Sequence, residues 1–265
     1  MRFDVVVAGA GPVGLMLASE LGLRGVSVLV VERLAEPDLT IKAGAINVPS
    51  YEALVRRGLR DTLERSQERM LEKMAGMFGP SGTPDLAAMR ERMRTIGGHF
   101  GGLFKLDPTR VDPADPDLIG IDNGTITGVA QQEIERILIE RAEELGVEIV
   151  RGRSVVHFEQ SDVDVAVRLD DGATVSGKWL LGCDGGRSTV RKLAGFDFPG
   201  TEPTITGHQA MVDMPDADKL PKGWNRTPVG MLVHGPMAGR ILLVQFDGPP
   251  PDRDAPVTQE ELRAS

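Results

Sequence analysis

Residues 5–21 read "VVVAGAGPVGLMLASEL". The opening Val5-Val6-Val7-Ala8 is β-branched and apolar on both faces, as a central parallel strand requires. Residues 12–24 change to a helical pattern, with Val13, Met16, Leu17, Glu20 and Leu21 at helical spacing and Gly25 as the stop. Residues 26–31 read as a second buried strand, completing a βαβ unit. Between strand and helix lies Gly9-Ala10-Gly11-Pro12-Val13-Gly14, a G-x-G-x-x-G turn. In such a turn the first glycine permits the tight bend, the second lets backbone approach a pyrophosphate, and the third lets helix and strand pack closely. The helix N-terminus adds unpaired N–H groups and a partial positive charge, and Pro12 forfeits no needed donor there. Glu32 closes the second strand, where a carboxylate accepts both ribose hydroxyls and repels a 2′-phosphate. These residues point to an adenine dinucleotide, FAD or NAD, without choosing between them.

Composition narrows the class. A 265-residue chain buries one large or two modest domains, and 41% hydrophobic with 26% charged residues is ordinary for a soluble globular protein. A net charge of −9 argues against nucleic acid as a partner, which needs a basic surface. Cys183 is the single cysteine, so no internal disulfide forms, which fits a reducing cytoplasm. The N-terminal apolar run is broken by Gly9, Gly11 and Pro12 and suits neither a signal peptide nor a membrane span.

Further along, residues 50–57 read as a helix stopped by Gly58. Residues 75–124 are rich in Gly, Pro, Asp and Met and read as loops around "HFGGLFKL" (99–106), the best strand candidate. Residues 131–145 form a helix with Ile134, Ile137, Leu138, Arg141 and Leu145 on one face. Strands follow at 147–150, 154–159 and 163–169, the last joined to 173–175 through Asp170-Asp171-Gly172, a hairpin signal. Residues 179–183 read as a buried parallel strand. Strands at 205–214, 228–234 and 240–246, with Pro- and Gly-rich turns, suggest an antiparallel sheet, and "GPPPDRDAP" (248–256) an extended linker.

A second glycine turn, "GCDGGRSTVRK" (182–192), separates FAD from NAD. Unlike the hairpin at 170–172, it follows a buried strand and leads into a short basic helix over 188–194. An acid at that strand end lies where open α/β sheets bind ligands. With "GAGPVG", Glu32-Arg33, Gln131-x-x-x-Glu135, "GHFGGL" (98–103) and "GFDFPGT" (195–201), the chain resembles the flavin-dependent aromatic hydroxylases of the para-hydroxybenzoate hydroxylase type. It is most similar to the branch acting on aromatic polyketides in antibiotic biosynthesis.

The resemblance implies an α/β fold in which a Rossmann-like FAD-binding domain (1–75 and 107–196) interleaves with a substrate-facing antiparallel sheet domain (76–106 and 197–265). It implies FAD in an extended pose, with Gly9, Gly11, Pro12, Val13 and Gly14 at the pyrophosphate and Glu32 and Arg33 at the adenosine end. Gln131 would lie by the ribityl chain and flavin, and the backbone near Val155 by the adenine. Asp184 belongs to an Asp-Gly motif implicated in FAD and NADPH binding. Lys42 stands where an arginine is usual, without arginine's bidentate fork. The implied activity is NADPH-dependent hydroxylation of an aromatic polyketide with O₂, through a flavin C4a-hydroperoxide, in the cytoplasm and with no membrane or nucleic-acid partner.

The family's third motif, Gly-Asp before a Pro/Gly turn and helix, is not found before Ser265, so the expectation is a missing C-terminal segment. Baeyer–Villiger oxygenation and a non-catalytic FAD-binding fragment are the alternatives. No catalytic side chain and no metal site is assigned, since His99, His157, His208 and His234 are scattered. Of these, His99 in its glycine-rich loop is the one to test. Cys183 reads as a core residue, and Met70, Met74, Met77, Met89 and Met93 as core packing, with an apolar substrate wall as the alternative.

Overall fold

The computed structural model describes residues 2–40, 42–76, 99–100, 104–105, 110, 112, 126–214, 219–234, 239–250, 252 and 255–264. In chain order the elements are β1 (Arg2–Ala8), α1 (Pro12–Gly22), β2 (Val28–Glu32), β3 (Ile46–Asn47), α2 (Val48–Val55), α3 (Arg60–Gly76), β4 (His99–Phe100), β5 (Phe104–Lys105), β6 (Ile126–Thr127) and α4 (Gln131–Glu144). Then follow β7 (Glu148–Arg151), β8 (Val155–Gln160), β9 (Val165–Leu169), β10 (Thr174–Gly182), α5 (Thr189–Leu193), β11 (Thr206–Met211), β12 (Gly223–Arg226), β13 (Gly230–His234), β14 (Arg240–Gln245) and α6 (Gln259–Ala264). They form two compact units, 1–43 with 130–199 and 44–129 with 200–265.

The first unit is built on a six-stranded sheet in the order β7-β2-β1-β10-β9-β8. The first four strands run parallel, and β9 and β8 continue the sheet antiparallel. Helices α1 and α4 pack on each other, α1 against β1 and β2 and α4 against β7. The buried stripe of α4 is Ile134, Ile137, Leu138 and Ala142, close to the sequence expectation.

On α1 the expected face, Val13, Met16, Leu17, Glu20 and Leu21, is opposite the buried one. Its buried positions are Gly14, Leu15, Ala18 and Ser19, while Val13 is 71% exposed. Small residues at 14 and 18 let the helix axis approach the sheet, so size, not hydrophobicity, marks the inward face. The opposite side of the sheet is a closed apolar cluster of Phe3, Val6, Ala8, Leu29, Val31, Val155, Val165, Val167, Leu169 and Val190.

The strands expected at 173–175 and 179–183 are one element. The start of β10 pairs antiparallel with β9 and its remainder pairs parallel with β1. The strand is also less buried than its apolar text implied: Trp179, opposite Val5, is 66% exposed. Within 99–106, where a short strand or two was expected, β4 and β5 pair antiparallel.

In the second unit β3 pairs with β6 beside α2. The four-stranded sheet β11-β14-β13-β12 is antiparallel throughout, as expected for this region. Helices α3 and α6 and strand β12 were not foreseen. The apolar signal of α3 is thin, with Leu63 and Leu71 buried among charged residues. Met70 on α3 is half-buried; Met77, Met89 and Met93 lie outside the described residues. Residues 44–76 and 126–129 group with this unit by contact, whereas the sequence reading had placed 44–75 and 107–129 with the dinucleotide-binding part.

A methyl group at Gly14 would lie 2.0 Å from the Gly9 carbonyl oxygen. Gly14→Ala is therefore expected to destabilise by about 3 kcal/mol, the upper end of overpacking costs, read as a lowered midpoint in urea unfolding.

Candidate functional site

The two glycine turns meet. β1 and β10 are neighbours in register through Ala8 and Gly182, and the Cys183 amide donates to the Ala8 carbonyl at 2.8 Å. Gly9 then turns at φ +101°, with its own amide donating to the Val31 carbonyl. A side chain at Gly9 would sit 2.5 Å from the Cys183 carbonyl oxygen and 3.0 Å from Asp184 Cα. The glycine is needed both for its backbone angle and for this abutment.

Gly11 differs from its two partners in the fingerprint. Its φ of −76° and ψ of 178° suit any residue. A Cβ built there meets no protein atom within 4 Å. Neither strain nor packing explains the glycine, so the space it keeps clear lies toward solvent at the N-terminus of α1. No side chain caps that helix, leaving the amides of its first turn for a ligand. An approaching phosphate fits this donor set. Gly186 in the second turn is alike, with nothing within 4 Å of a built Cβ.

Glu32 ties the fingerprint to the end of β2. Its Oε2 accepts from the Ala10 amide at 2.8 Å and its Oε1 from the Leu34 amide at 2.9 Å. Each oxygen keeps a further lone pair for a sugar hydroxyl. Arg33 beside it is exposed. Val155 opens β8 with its side chain buried in the apolar cluster, so only its backbone remains to meet a ligand.

The loop after β2 is pinned to the start of α4. The Gln131 amide donates to the Ala43 carbonyl at 2.9 Å, and Gln132 Nε2 donates to the Thr40 carbonyl at 2.6 Å. The structure thus brings the Lys42 loop to Gln131, a proximity that the spacing of 42 and 131 in the sequence does not show. Lys42 Nζ pairs with Asp38 at 2.8 Å. That hydrogen bond, aided by Thr40, holds the Asp38 carboxyl down to about 2. The Gln131 side chain donates to Glu135 at 2.9 Å.

Asp184 has structural work. Its Oδ1 accepts from the Ser188 hydroxyl at 2.5 Å, and its Oδ2 from the Thr189 and Val190 amides at 2.6 and 3.2 Å. Ser188 in turn caps α5 through the Arg191 amide at 3.0 Å. The acid therefore holds the short helix against the glycine turn, and Gly182 leaves room for Val190 beneath it, 3.0 Å from a built Cβ. Ser188 and Asp38 escaped the sequence reading; each stands four residues from a chosen site residue, which is the available signal. The Cys183 thiol is pushed up by burial and then by the Asp184 charge, which suits a packing role.

A model of a single family, described as FAD binding domain, matches residues 2–265. The chain belongs to the FAD-binding-domain family. It is 40% identical to a rifampicin monooxygenase of Rhodococcus hoagii over 221 residues, 82% of this chain and 39% of that protein. It is 36% identical to the 12-dehydrotetracycline 5-monooxygenase/anhydrotetracycline 6-monooxygenase of Streptomyces rimosus, over 100% of this chain and 49% of the relative. Among solved structures, CabE, an aromatic hydroxylase from angucycline biosynthesis, superimposes with a TM-score of 0.76 at 29% identity, over 100% of this chain and 48% of that one. The chain therefore spans about half the length of the relatives it matches. Among the described residues no helix is long and apolar enough to cross a membrane.

Two measurements check this family member's site. Asp184→Ala removes the anchor of α5 and is expected to cost about 1–2 kcal/mol, the range of lost helix caps, seen in urea unfolding. The Asp38–Lys42 pair lowers the carboxyl from 3.8 to about 2, so its contribution is present above pH ~4 and fades as the pH falls toward 2. Because both groups are partly exposed, Asp38→Asn is expected to cost under about 1 kcal/mol at neutral pH, and less at pH 2 or in high salt.

Proposed function

We propose that this chain binds FAD in an extended pose and that the whole protein is an NADPH-dependent monooxygenase hydroxylating an aromatic polyketide with O₂. The observation that carries the reading is Gly11, where a side chain would meet no protein atom and would enter the space in front of the α1 N-terminus. On this reading Gly9, Gly11, Pro12, Val13 and Gly14 present backbone to the pyrophosphate, and Glu32 accepts the ribose hydroxyls with Arg33 close by. The Val155 backbone meets the adenine. Gln131 and the glycine turn held by Asp184 face the ribityl and flavin end, with Lys42 as the nearby cation. Bound FAD supplies the redox chemistry, taking electrons from NADPH and passing one oxygen of O₂ to the substrate. The protein's part is to orient the ring and exclude water. Membership of the FAD-binding-domain family supports the cofactor, and relatives named for rifampicin, tetracycline and angucycline chemistry support the substrate class.

The half-length match favours one second reading, in which residues 1–265 alone bind FAD without turnover and the remaining half completes the enzyme. Its compartment is the cytoplasm, in keeping with a lone unpaired cysteine. Gly11→Ala tests the reading, because the new methyl touches no protein atom. Unfolding of the apoprotein is expected to change by less than about 1 kcal/mol, while FAD affinity falls at least about tenfold, ~1.4 kcal/mol. An unchanged FAD affinity in a flavin titration would sink the proposal. NADPH oxidation stimulated by a polyketide separates the enzyme from the fragment.

A further inference from the structure

Between residues 36 and 43 the loop that carries Lys42 has little apolar anchorage. Residues 36, 37, 39, 40, 42 and 43 are exposed and Asp38 is half-buried. Leu39, the large apolar side chain among them, is 82% exposed. Polar contacts therefore set where this loop stands. Two of them reach α4, one on each side of Lys42: the Thr40 carbonyl accepts from Gln132 Nε2 at 2.6 Å and the Ala43 carbonyl from the Gln131 amide at 2.9 Å.

The two contacts differ in kind. Ala130 gives α4 no side-chain cap, so the first amide of the helix needs an acceptor from elsewhere, and the Ala43 carbonyl meets that need. Any residue but proline at 131 supplies that donor. The Thr40 contact instead depends on the side chain of Gln132, 92 positions away in the chain. An apolar or acidic side chain at 132 has no N–H to give.

Thr40 passes this contact on to Lys42. Its amide donates to Asp38 Oδ1 at 2.9 Å, and Asp38 Oδ2 accepts from Lys42 Nζ at 2.8 Å. An unbroken series of hydrogen bonds thus runs from Gln132 through Thr40 and Asp38 to the ammonium. An ammonium fixed in place acts at one distance, whereas one that swings with its loop averages over longer, better screened ones.

We propose that Gln132 is a positioning residue that, through Thr40 and Asp38, sets where the Lys42 ammonium stands beside the FAD site. This role rests on the FAD reading above and adds a side chain that acts without touching the cofactor. A positive charge held near the flavin favours its negatively charged reduced form, so the position of Lys42 bears on how easily the ring is reduced as well as on how firmly FAD is held.

The experiment uses the FAD-loaded protein and the variants Gln132→Met, Lys42→Met and the two combined. Methionine is close to glutamine in size and offers no donor. In Gln132→Met the Kd for FAD is expected to rise about fivefold, the worth of one net hydrogen bond, and the midpoint potential of the bound flavin to fall. Urea unfolding of the apoprotein is expected to keep its wild-type midpoint, since the contact is exposed. Lys42→Met lowers the potential too, and the combined variant goes no lower than Lys42→Met alone, the non-additivity of a residue that acts through another. Additive changes in the combined variant overturn the role of Gln132 and leave the FAD reading in place. So does an unchanged potential in Gln132→Met or in Lys42→Met, whether or not the urea midpoint moves. A wild-type protein that takes up no FAD overturns the FAD reading itself.

Discussion

Backbone packs on backbone where β1 and β10 end, and the ligand side of the first unit depends on that contact. Parallel pairing through Ala8 and Gly182 delivers both chains to the same height, and Gly9 then lies directly against Cys183 and Asp184. Any side chain at position 9 would wedge the two turns apart. Gly14 settles α1 against the carbonyl of Gly9, which aims the first turn of that helix at the gap kept open by Gly11. At two of the three fingerprint glycines the missing side chain is required by the protein's own packing, and at Gly11 alone it keeps open space clear.

The acids of the site share a habit. Glu32 fastens the fingerprint to β2, Asp184 fastens α5 to its turn, and Asp38 holds Lys42. Carboxylates accepting backbone N–H groups form strong, short contacts that fix loop geometry. Because a carboxylate offers more lone pairs than these contacts occupy, such a residue serves the protein and a ligand together. This explains how a sequence motif tied to cofactor binding also reads as capping when no ligand is considered.

Much of this was legible in the chain. The βαβ opening, α4, the hairpin at Gly172 and the antiparallel sheet follow from periodicity and turn chemistry, and the two glycine turns mark the site. What escaped detection did so for physical reasons. α3 carries its buried leucines in a strongly charged text, so its periodicity is faint. The inward face of α1 is defined by small residues, which hydrophobic spacing does not score. β10 looked like two strands because pairing changes along it, a property of partners and not of its own residues. Gln132 and Thr40 become neighbours only where the loop after β2 meets the start of α4.

The interleaving of the first unit has a bearing on how the chain is made. β1 sits at the middle of the sheet, yet one of its two flanking strands is β10, whose pairing begins at Ser176. A nascent chain emerging from the ribosome holds the βαβ opening with one flank bare until residues 174–182 arrive. An exposed parallel edge is prone to mispair. Closure of so distant a contact is also slow. Residues 44–129, of which 44–76 and 126–129 group with the other unit, must emerge in this interval first. Completion of the sheet therefore waits until residues 174–182 have been made, and β1, the strand between β2 and β10, is the edge left open until then.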